Sequence, residues 1–475
     1  MATAPPTSGE LRAALEQAAE WCAGYLDRVG DLPVLAQVEP GDIAAALPEH
    51  PPEAGEPLAD ILADVDRVLI PGITHWNHPG FMAYFGISGS PPGILGETVA
   101  AALNVNAMLW RTSPAATELE QRVLRWVAEM TGLPTGWFGE ITDTASASTL
   151  YALAAAREAA GLDIRTRGMA GRTDLPPLRV YTSDQAHSSV EKACIALGLG
   201  QEGLRKLPTD AEFRMRADLL AEAVADDVAA GVRPIAAVAT VGTTSTTSID
   251  PVAAVADVCQ RHGMWLHVDA AYGGAAAILP EMRNVLDGCD RADSLVFNPH
   301  KWLFTPVDCS LLYTARPDDL KAAFSLVAPY LTTPEDGVVN LMDYGLSLGR
   351  RFRALKLWMV IRAYGVDGLA ALIAGHIELA RRLEAAIDAE PGWELLAPVP
   401  FSVVCFRRRP PGVDDEDELR RLNTGIIDRV NADGRAFISH TDLGGRYAIR
   451  VAIGNLATTA EHVDTVWELV REASG

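Results

Sequence analysis

Lysine is scarce in this chain. Of 40 basic side chains in 475 residues only five are lysine, Lys192, Lys206, Lys301, Lys321 and Lys356; the other 35 are arginine. Arginine carries the surface charge, so each lysine calls for its own explanation. Paired cysteines are also missing. Cys22, Cys194, Cys259, Cys289, Cys309 and Cys405 form no CxxC pair, which argues against a zinc ribbon or a thioredoxin-like couple. They read as small buried hydrophobes in a reducing, cytoplasmic compartment, and no motif points to a metal. Basic charge is outweighed, 40 against 62 acidic residues, giving a formal charge of -22. Such a chain as a whole repels nucleic acid and anionic membrane surfaces. No basic segment followed by an apolar one opens the sequence, so no secretory signal is expected. No run of about 18 apolar residues is free of charge, so no membrane span is expected either.

What is present fits a globular enzyme. Hydrophobic residues make up 49%, with 40 glycines and 30 prolines. The length corresponds to roughly three units of about 150 residues. Up to Trp110 the pattern is mostly helical and broken by proline. Leu11, Ala14, Leu15, Ala18, Ala19 and Cys22 form a helical stripe with Ser8 as its expected N-cap, and a second helix is expected over 57–69 before Pro71-Gly72. An arm of this kind either closes over another subunit or caps the main domain.

From about residue 115 short strands alternate with amphipathic helices. Helices are expected at Glu118–Met130, Ala145–Ala159, 188–198, 217–229 and 251–262. Strands are expected at Arg179–Thr182, Ile235–Val241, Met264–Val268, Ser294–Phe297 and Ser310–Tyr313. This alternation predicts an α/β fold with a mostly parallel central sheet covered on both faces. Residues 328–348 read as a long loop, and a helix follows from Arg350 to about Tyr364. The last hundred residues suggest a small α+β domain, with helices at 368–389, 415–432 and 459–472 and strands at Val403–Arg407 and Tyr447–Val451. The expected division is a helical arm over 1–85, a large domain over 86–365 and a small C-terminal domain over 366–475.

Five segments carry chemistry. Trp265-Leu266-His267-Val268-Asp269 is a strand ending in an acid, followed by Ala270-Ala271 and Gly273-Gly274. Open parallel sheets bind ligands at such strand ends. Asn298-Pro299-His300-Lys301-Trp302 also follows a strand. A lysine between histidine and tryptophan is poorly explained as solvent decoration, and a partly desolvated lysine can form a Schiff base. Asp143 to Thr149 puts small hydroxyl residues at a helix start, a seat for phosphate or an ordinary cap. His187, in Ser183-Asp184-Gln185-Ala186-His187-Ser188-Ser189, can lie flat over a ring or serve as a structural histidine. Thr240-Val241-Gly242-Thr243-Thr244 brings hydroxyls to a strand end. A lysine for an aldehyde, a carboxylate for a ring nitrogen, a helix start for a phosphate and an imidazole for a ring face together fit pyridoxal 5′-phosphate.

The chain resembles the pyridoxal-phosphate-dependent group II decarboxylases, and within them the aromatic-L-amino-acid decarboxylases. The resemblance runs from Trp76 to the C-terminus, more loosely through the arm. It rests on Pro79-Gly80-Phe81-Met82-Ala83-Tyr84-Phe85, Ser113 to Glu120, Asp184 to Ser189, His267 to Tyr272, Asn298 to Trp302 and Leu348-Gly349-Arg350-Arg351-Phe352-Arg353. It implies the aspartate-aminotransferase-like fold type I, a homodimer with sites at the subunit interface, and decarboxylation of an aromatic L-amino acid to the arylalkylamine and carbon dioxide. By the same resemblance Lys301 is the Schiff-base lysine, Asp269 pairs with the pyridine nitrogen and His187 stacks on the ring. Thr144 and Ala145 bind the phosphate with help from Asn298 and His300, and Thr243 and Ala271 line the cofactor. Trp76, Tyr84, Phe85, Asn106 and Met108 match substrate-pocket positions, Asn106 and Met108 where the family is usually more apolar or aromatic.

One departure stands out. The family's loop tyrosine, associated with delivering a proton to the substrate Cα, corresponds to Leu341 here. Tyr344 takes the place of a usual tryptophan and is a substitute donor in a different loop register; His300 or water are others. Relatives that make aromatic aldehydes carry an apolar residue at the tyrosine position and release aldehyde, carbon dioxide, ammonia and hydrogen peroxide. The retained His187 weighs against that outcome. A decarboxylase for acidic substrates would need a pocket arginine, for which Arg111 is the candidate. A silent homologue would be expected to have lost Lys301 or Asp269.

Overall fold

The computed structural model describes residues 7–326, 335 and 337–475. The chain divides into two compact units. The smaller gathers the chain up to Gly86 with Pro391–Glu394 and Arg407–Gly475, and the larger holds Ile87–Glu390 and Leu395–Phe406.

The smaller unit opens with the helix Ser8–Arg28. Its cap is Thr7 rather than the expected Ser8, because Thr7 and Glu10 form a reciprocal capping box that satisfies two first-turn donors. The second expected helix is Leu58–Asp64, continued by a wider turn to Leu69. The short strand β1 (Phe81–Met82) follows.

The larger unit holds a seven-stranded sheet. Its strands are β2 (Phe138–Thr142), β3 (Leu178–Ser183), β4 (Leu204–Leu207), β5 (Arg233–Thr240), β6 (Trp265–Asp269), β7 (Ser294–Phe297) and β8 (Ser310–Thr314). Their order across the sheet is β2-β8-β7-β6-β5-β3-β4. All neighbours are parallel except β8, which runs antiparallel to both β2 and β7. The central strands are buried along their length, as expected of a sheet covered on both faces. Two of the strands, β2 and β4, escaped the sequence reading.

Helices follow the strand ends. Pro114–Thr131 starts on proline and stops at Gly132, whose φ of 78° only glycine adopts without strain. Ala145–Ala159 runs from a Thr144 cap. The helix expected from Arg350 begins at Ala354 and continues to Asp388, interrupted at Gly365 (φ 66°, ψ 176°). It is long and apolar enough to cross a membrane by length and composition alone, and it carries Arg362 and Asp367 within it. The break at Gly365 divides it into two shorter helices.

The expected loop at 328–348 falls partly outside the described residues. Its described end contains a single turn, Leu341–Asp343. The chain passes between the units within β9 (Trp393–Leu395) and β10 (Val403–Arg408). In the smaller unit β11 (Phe437–Leu443) pairs antiparallel with β12 (Arg446–Ala452) and parallel with β1, in register Phe81 to Phe437.

Candidate active site

The parallel strands bring their carboxyl ends to one edge of the large sheet. Asp269 closes β6 there, in register with Thr240 on β5 and Val296 on β7. Its side chain is buried, 6% exposed, and one oxygen accepts the Ala271 N–H at 3.1 Å. The Ala271 carbonyl in turn accepts the Asn298 N–H, and the Asn298 carbonyl accepts the Lys301 N–H. A continuous backbone path therefore joins the Asp269 turn to the Lys301 turn, and the spacing of acid and lysine is set by adjacent strands.

His187 follows the end of β3. Its Nδ1 accepts the Ser189 N–H at 3.2 Å, which leaves the ring proton on Nε2. Desolvation lowers the pKa of the imidazole, Lys301 and Lys192 act in the same direction, and Asp269 opposes them. The ring is exposed by area and neutral at pH 7. His187, Asp269 and Lys301 are thus close enough to sense one another's charge.

His300 is placed differently from an acid–base group. It is 5% exposed, and burial with the neighbouring Lys301 pushes its pKa down to about 3. Nδ1 accepts the Cys309 N–H at 2.9 Å, so the proton sits on Nε2. The Asn298 amide lies 3.2 Å from Nε2 and 2.6 Å from Ser310 Oγ. A protonated Nε2 requires the amide oxygen to face it, with the amide nitrogen donating to Ser310. Ser310 Oγ continues to Ser148 Oγ at 3.2 Å and Ser148 to Thr142 Oγ1 at 2.8 Å. This buried chain braces the Lys301 turn against the helix start near Thr144; His300 Nε2 belongs to it, and Nδ1 is taken by the Cys309 N–H.

Thr144 caps that helix, accepting the Ala147 N–H at 3.4 Å. The N–H groups of Ala145 and Ser146 have no acceptor among the described residues, the condition for an anion seat. Thr243 is fully buried; its hydroxyl accepts the Ser248 N–H and meets Thr246, so it braces its own loop. Three hydroxyls from the segments singled out in the sequence, Ser183, Ser189 and Thr240, are buried and without a partner among the described residues. An acid on a strand end, an adjacent lysine, an open helix start and unpartnered hydroxyls are a donor set that fits pyridoxal phosphate.

The expected substrate-pocket residues fall into two groups. Trp76, Tyr84 and Phe85 lie in the smaller unit. Trp76 stacks on Phe81 at 4.2 Å and on Tyr84 at 5.8 Å, and the Arg450 guanidinium sits 4.9 Å from the Phe85 ring centre. Asn106, Met108 and Leu341 come together in the larger unit. Asn106 Oδ1 accepts the Arg350 N–H, the Met108 carbonyl accepts the Met342 N–H, and the Trp110 N–H reaches Asn340 Oδ1. Residues 106–110 therefore form the bed for 340–350. Leu341 is buried at 1% exposure and lines a small cavity with Glu140, Thr142, Asp143 and Tyr151. Arg111 is engaged by Glu335.

Comparison with known proteins agrees with this geometry. The model of the pyridoxal-dependent decarboxylase conserved domain matches residues 40–409. The chain is 40% identical to phenylacetaldehyde synthase of Arabidopsis thaliana, covering 98% of this chain and 96% of that protein. It is 38% identical to tyrosine decarboxylase 2 of Narcissus pseudonarcissus, covering 98% and 94%. The crystal structure of Oryza sativa TDC with PLP and tryptamine superposes with a TM-score of 0.95 at 37% identity, covering 99% of both chains. The architecture is that of fold type I pyridoxal-phosphate enzymes with a helical N-terminal arm. The chain belongs to the pyridoxal-dependent decarboxylase family, as a pyridoxal-phosphate enzyme with decarboxylase or aldehyde-synthase activity toward an aromatic amino-acid-like substrate.

Proposed function

We propose that the protein converts an aromatic L-amino acid to its arylalkylamine and carbon dioxide. The observation that carries this reading is the joint placement of buried Asp269, half-buried Lys301 and exposed His187 at one sheet edge. When bound, pyridoxal phosphate supplies a conjugated electron sink for the bond broken at the substrate Cα. Lys301 holds the cofactor's aldehyde end between turnovers. Asp269, as a buried carboxylate, keeps a proton on the ring nitrogen facing it. Neutral His187 covers a ring face without adding charge. The open N–H groups of Ala145 and Ser146, with the Thr144 hydroxyl, take the phosphate, and Asn298 and His300 hold the Lys301 turn through their hydrogen-bond chain. Trp76, Tyr84 and Phe85 supply aromatic surface for the substrate ring.

A second reading, aldehyde synthesis, is favoured by one feature. Leu341 offers no proton at the loop position where the family carries tyrosine, and a 40% identical relative is named phenylacetaldehyde synthase. In that reaction the amino acid, oxygen and water yield aldehyde, carbon dioxide, ammonia and hydrogen peroxide. A product balance under air separates the two. Phenylalanine, tyrosine, tryptophan and dihydroxyphenylalanine are supplied singly, and amine, aldehyde, carbon dioxide and peroxide are measured together. Amine equal to carbon dioxide is expected; aldehyde and peroxide equal to carbon dioxide would overturn the decarboxylase assignment.

We also read the protein as a cytoplasmic homodimer. The helix Ser8–Arg28 buries none of its residues within the chain and leaves Leu11 and Leu15 half exposed, an apolar stripe that a second subunit can cover. All six cysteines are unpaired, as in a reducing compartment. Sedimentation of the intact enzyme tests the dimer.

A further inference from the structure

We propose that the large unit carries a second ligand site, for a planar aromatic carboxylate, against the helix Pro114–Thr131. A cavity of about 440 Å³ opens there, within the range of small-molecule sites. Its lining includes none of Lys301, Asp269 or His187. It reaches Gly139, at the start of β2, whereas Thr142 and the Thr144 cap lie at the other end of that strand.

Two tryptophans, Trp110 and Trp137, line the cavity and are half-buried. Indole faces in a wet pocket recognise flat rings. Arg122 and Arg125 line it as well, and their i,i+3 spacing puts them on one helix face. Neither has a carboxylate partner among the described residues. Both are solvent-exposed, in a chain where acids outnumber bases 62 to 40. Glu118 is the one acid among the described lining residues, and it accepts the Trp110 indole N–H at 2.9 Å. The described lining therefore sets two arginines against one glutamate. Thr117 adds an independent sign: the residue lines the cavity and is 2% exposed, and its hydroxyl has no hydrogen-bond partner among the described residues.

A carboxylate satisfies these groups together. It takes charge-assisted hydrogen bonds from the guanidinium groups and from Thr117, while an attached ring meets the indoles. A simple anion uses only the arginines, and an arylalkylammonium is repelled by them. The inference rests on the cavity's own lining and is independent of the reaction proposed above.

The test uses holoenzyme treated with phenylhydrazine, which consumes the cofactor's aldehyde and closes the active site to other ligands. Loss of the visible cofactor band reports that step separately, so a failure of the cofactor reading is recognised before any titration. Phenylacetate is then titrated calorimetrically, with acetate and phenethylammonium alongside. Saturable binding of phenylacetate at one equivalent per chain is expected, with acetate and phenethylammonium each at least tenfold weaker. The surface double variant Arg122→Gln/Arg125→Gln should weaken phenylacetate at least tenfold, and Trp137→Ala and Thr117→Val several-fold, with unchanged thermal midpoints for the arginine variant. No saturable binding, equal binding of phenethylammonium, or full affinity in the double arginine variant overturns the site.

Discussion

Tyr344 lies against Phe138, ring centres 4.1 Å apart and planes within 28°. Phe138 begins β2 and Thr142 ends it, so this ring packs on the residue at the end of the strand opposite the helix start near Thr144. Tyr344 is a packing residue here, and Leu341 beside it has no hydroxyl. Tyr344→Phe should therefore leave kcat and the ratio of amine to carbon dioxide nearly unchanged. A displaced general acid would cost about a hundredfold. A collapse of amine yield in this variant would show that the loop adopts another register during turnover.

Asp269→Asn tests the strand-end carboxylate. The amide keeps the shape but cannot hold a proton on the ring nitrogen opposite it. Turnover is expected to fall by about 10²–10³-fold, with a shift in the visible absorption of bound cofactor and little change in thermal midpoint. Retained turnover with an unshifted spectrum would remove Asp269 from that role.

Glu140 gives a pH-dependent stability. It is buried beside Arg350, whose guanidinium already bonds Glu120, and burial pushes its carboxyl up to about 8. The folded state then holds a proton that the unfolded chain releases from about 4.5 upward, so stability falls as pH rises between these values and levels off above 8. Glu140→Gln removes this loss. The variant should match the wild type near pH 5 and melt a few degrees higher at pH 8.5; parallel melting curves across that range would refute the assignment.

Trp302 anchors the turn that carries Lys301. It is fully buried, stacks on Tyr272 at 4.7 Å within 3° of parallel, and donates its indole N–H to His376 at 2.9 Å. Trp302→Ala should cost about 3–5 kcal/mol in denaturant unfolding and lower cofactor occupancy. Trp302→Phe should recover much of the stability, because the stacked ring returns. Equal loss in both variants would point to the indole hydrogen bond instead.

Local chemistry made much of this molecule legible in the sequence. Ser294–Phe297 is a short apolar run, and Ala145–Ala159 follows a threonine cap, so both elements could be read directly. Phe138–Thr142 could not. It carries Gly139 and Glu140, and a buried acid in a strand is explained only by Arg350, more than two hundred residues later. Phe437–Leu443 hides for a related reason, since His440, Thr441 and Asp442 break its apolar character. Asp269 and Lys301 could be singled out because each follows a strand on a conspicuous motif. The hydroxyl chain from Thr142 through Ser148 and Ser310 to Asn298 could not, because its members meet only when β2, β8 and β7 align. The same limit hid the engagement of His300, which the resemblance offered as an alternative proton donor.

The parallel pairing of Phe81 with Phe437 also dictates an order of assembly during synthesis. Val34, Phe81 and Ala83 form a small core with Trp76 and Phe437, so the arm's apolar residues leave the ribosome long before their last partner exists. At about 5–20 residues per second the wait is on the order of tens of seconds. The larger sheet, complete by Thr314, has that interval in which to form while the arm's core still lacks Phe437. A premature stop before Phe437 would thus strand the arm at the opposite end of the polypeptide, although not one of its own residues had changed.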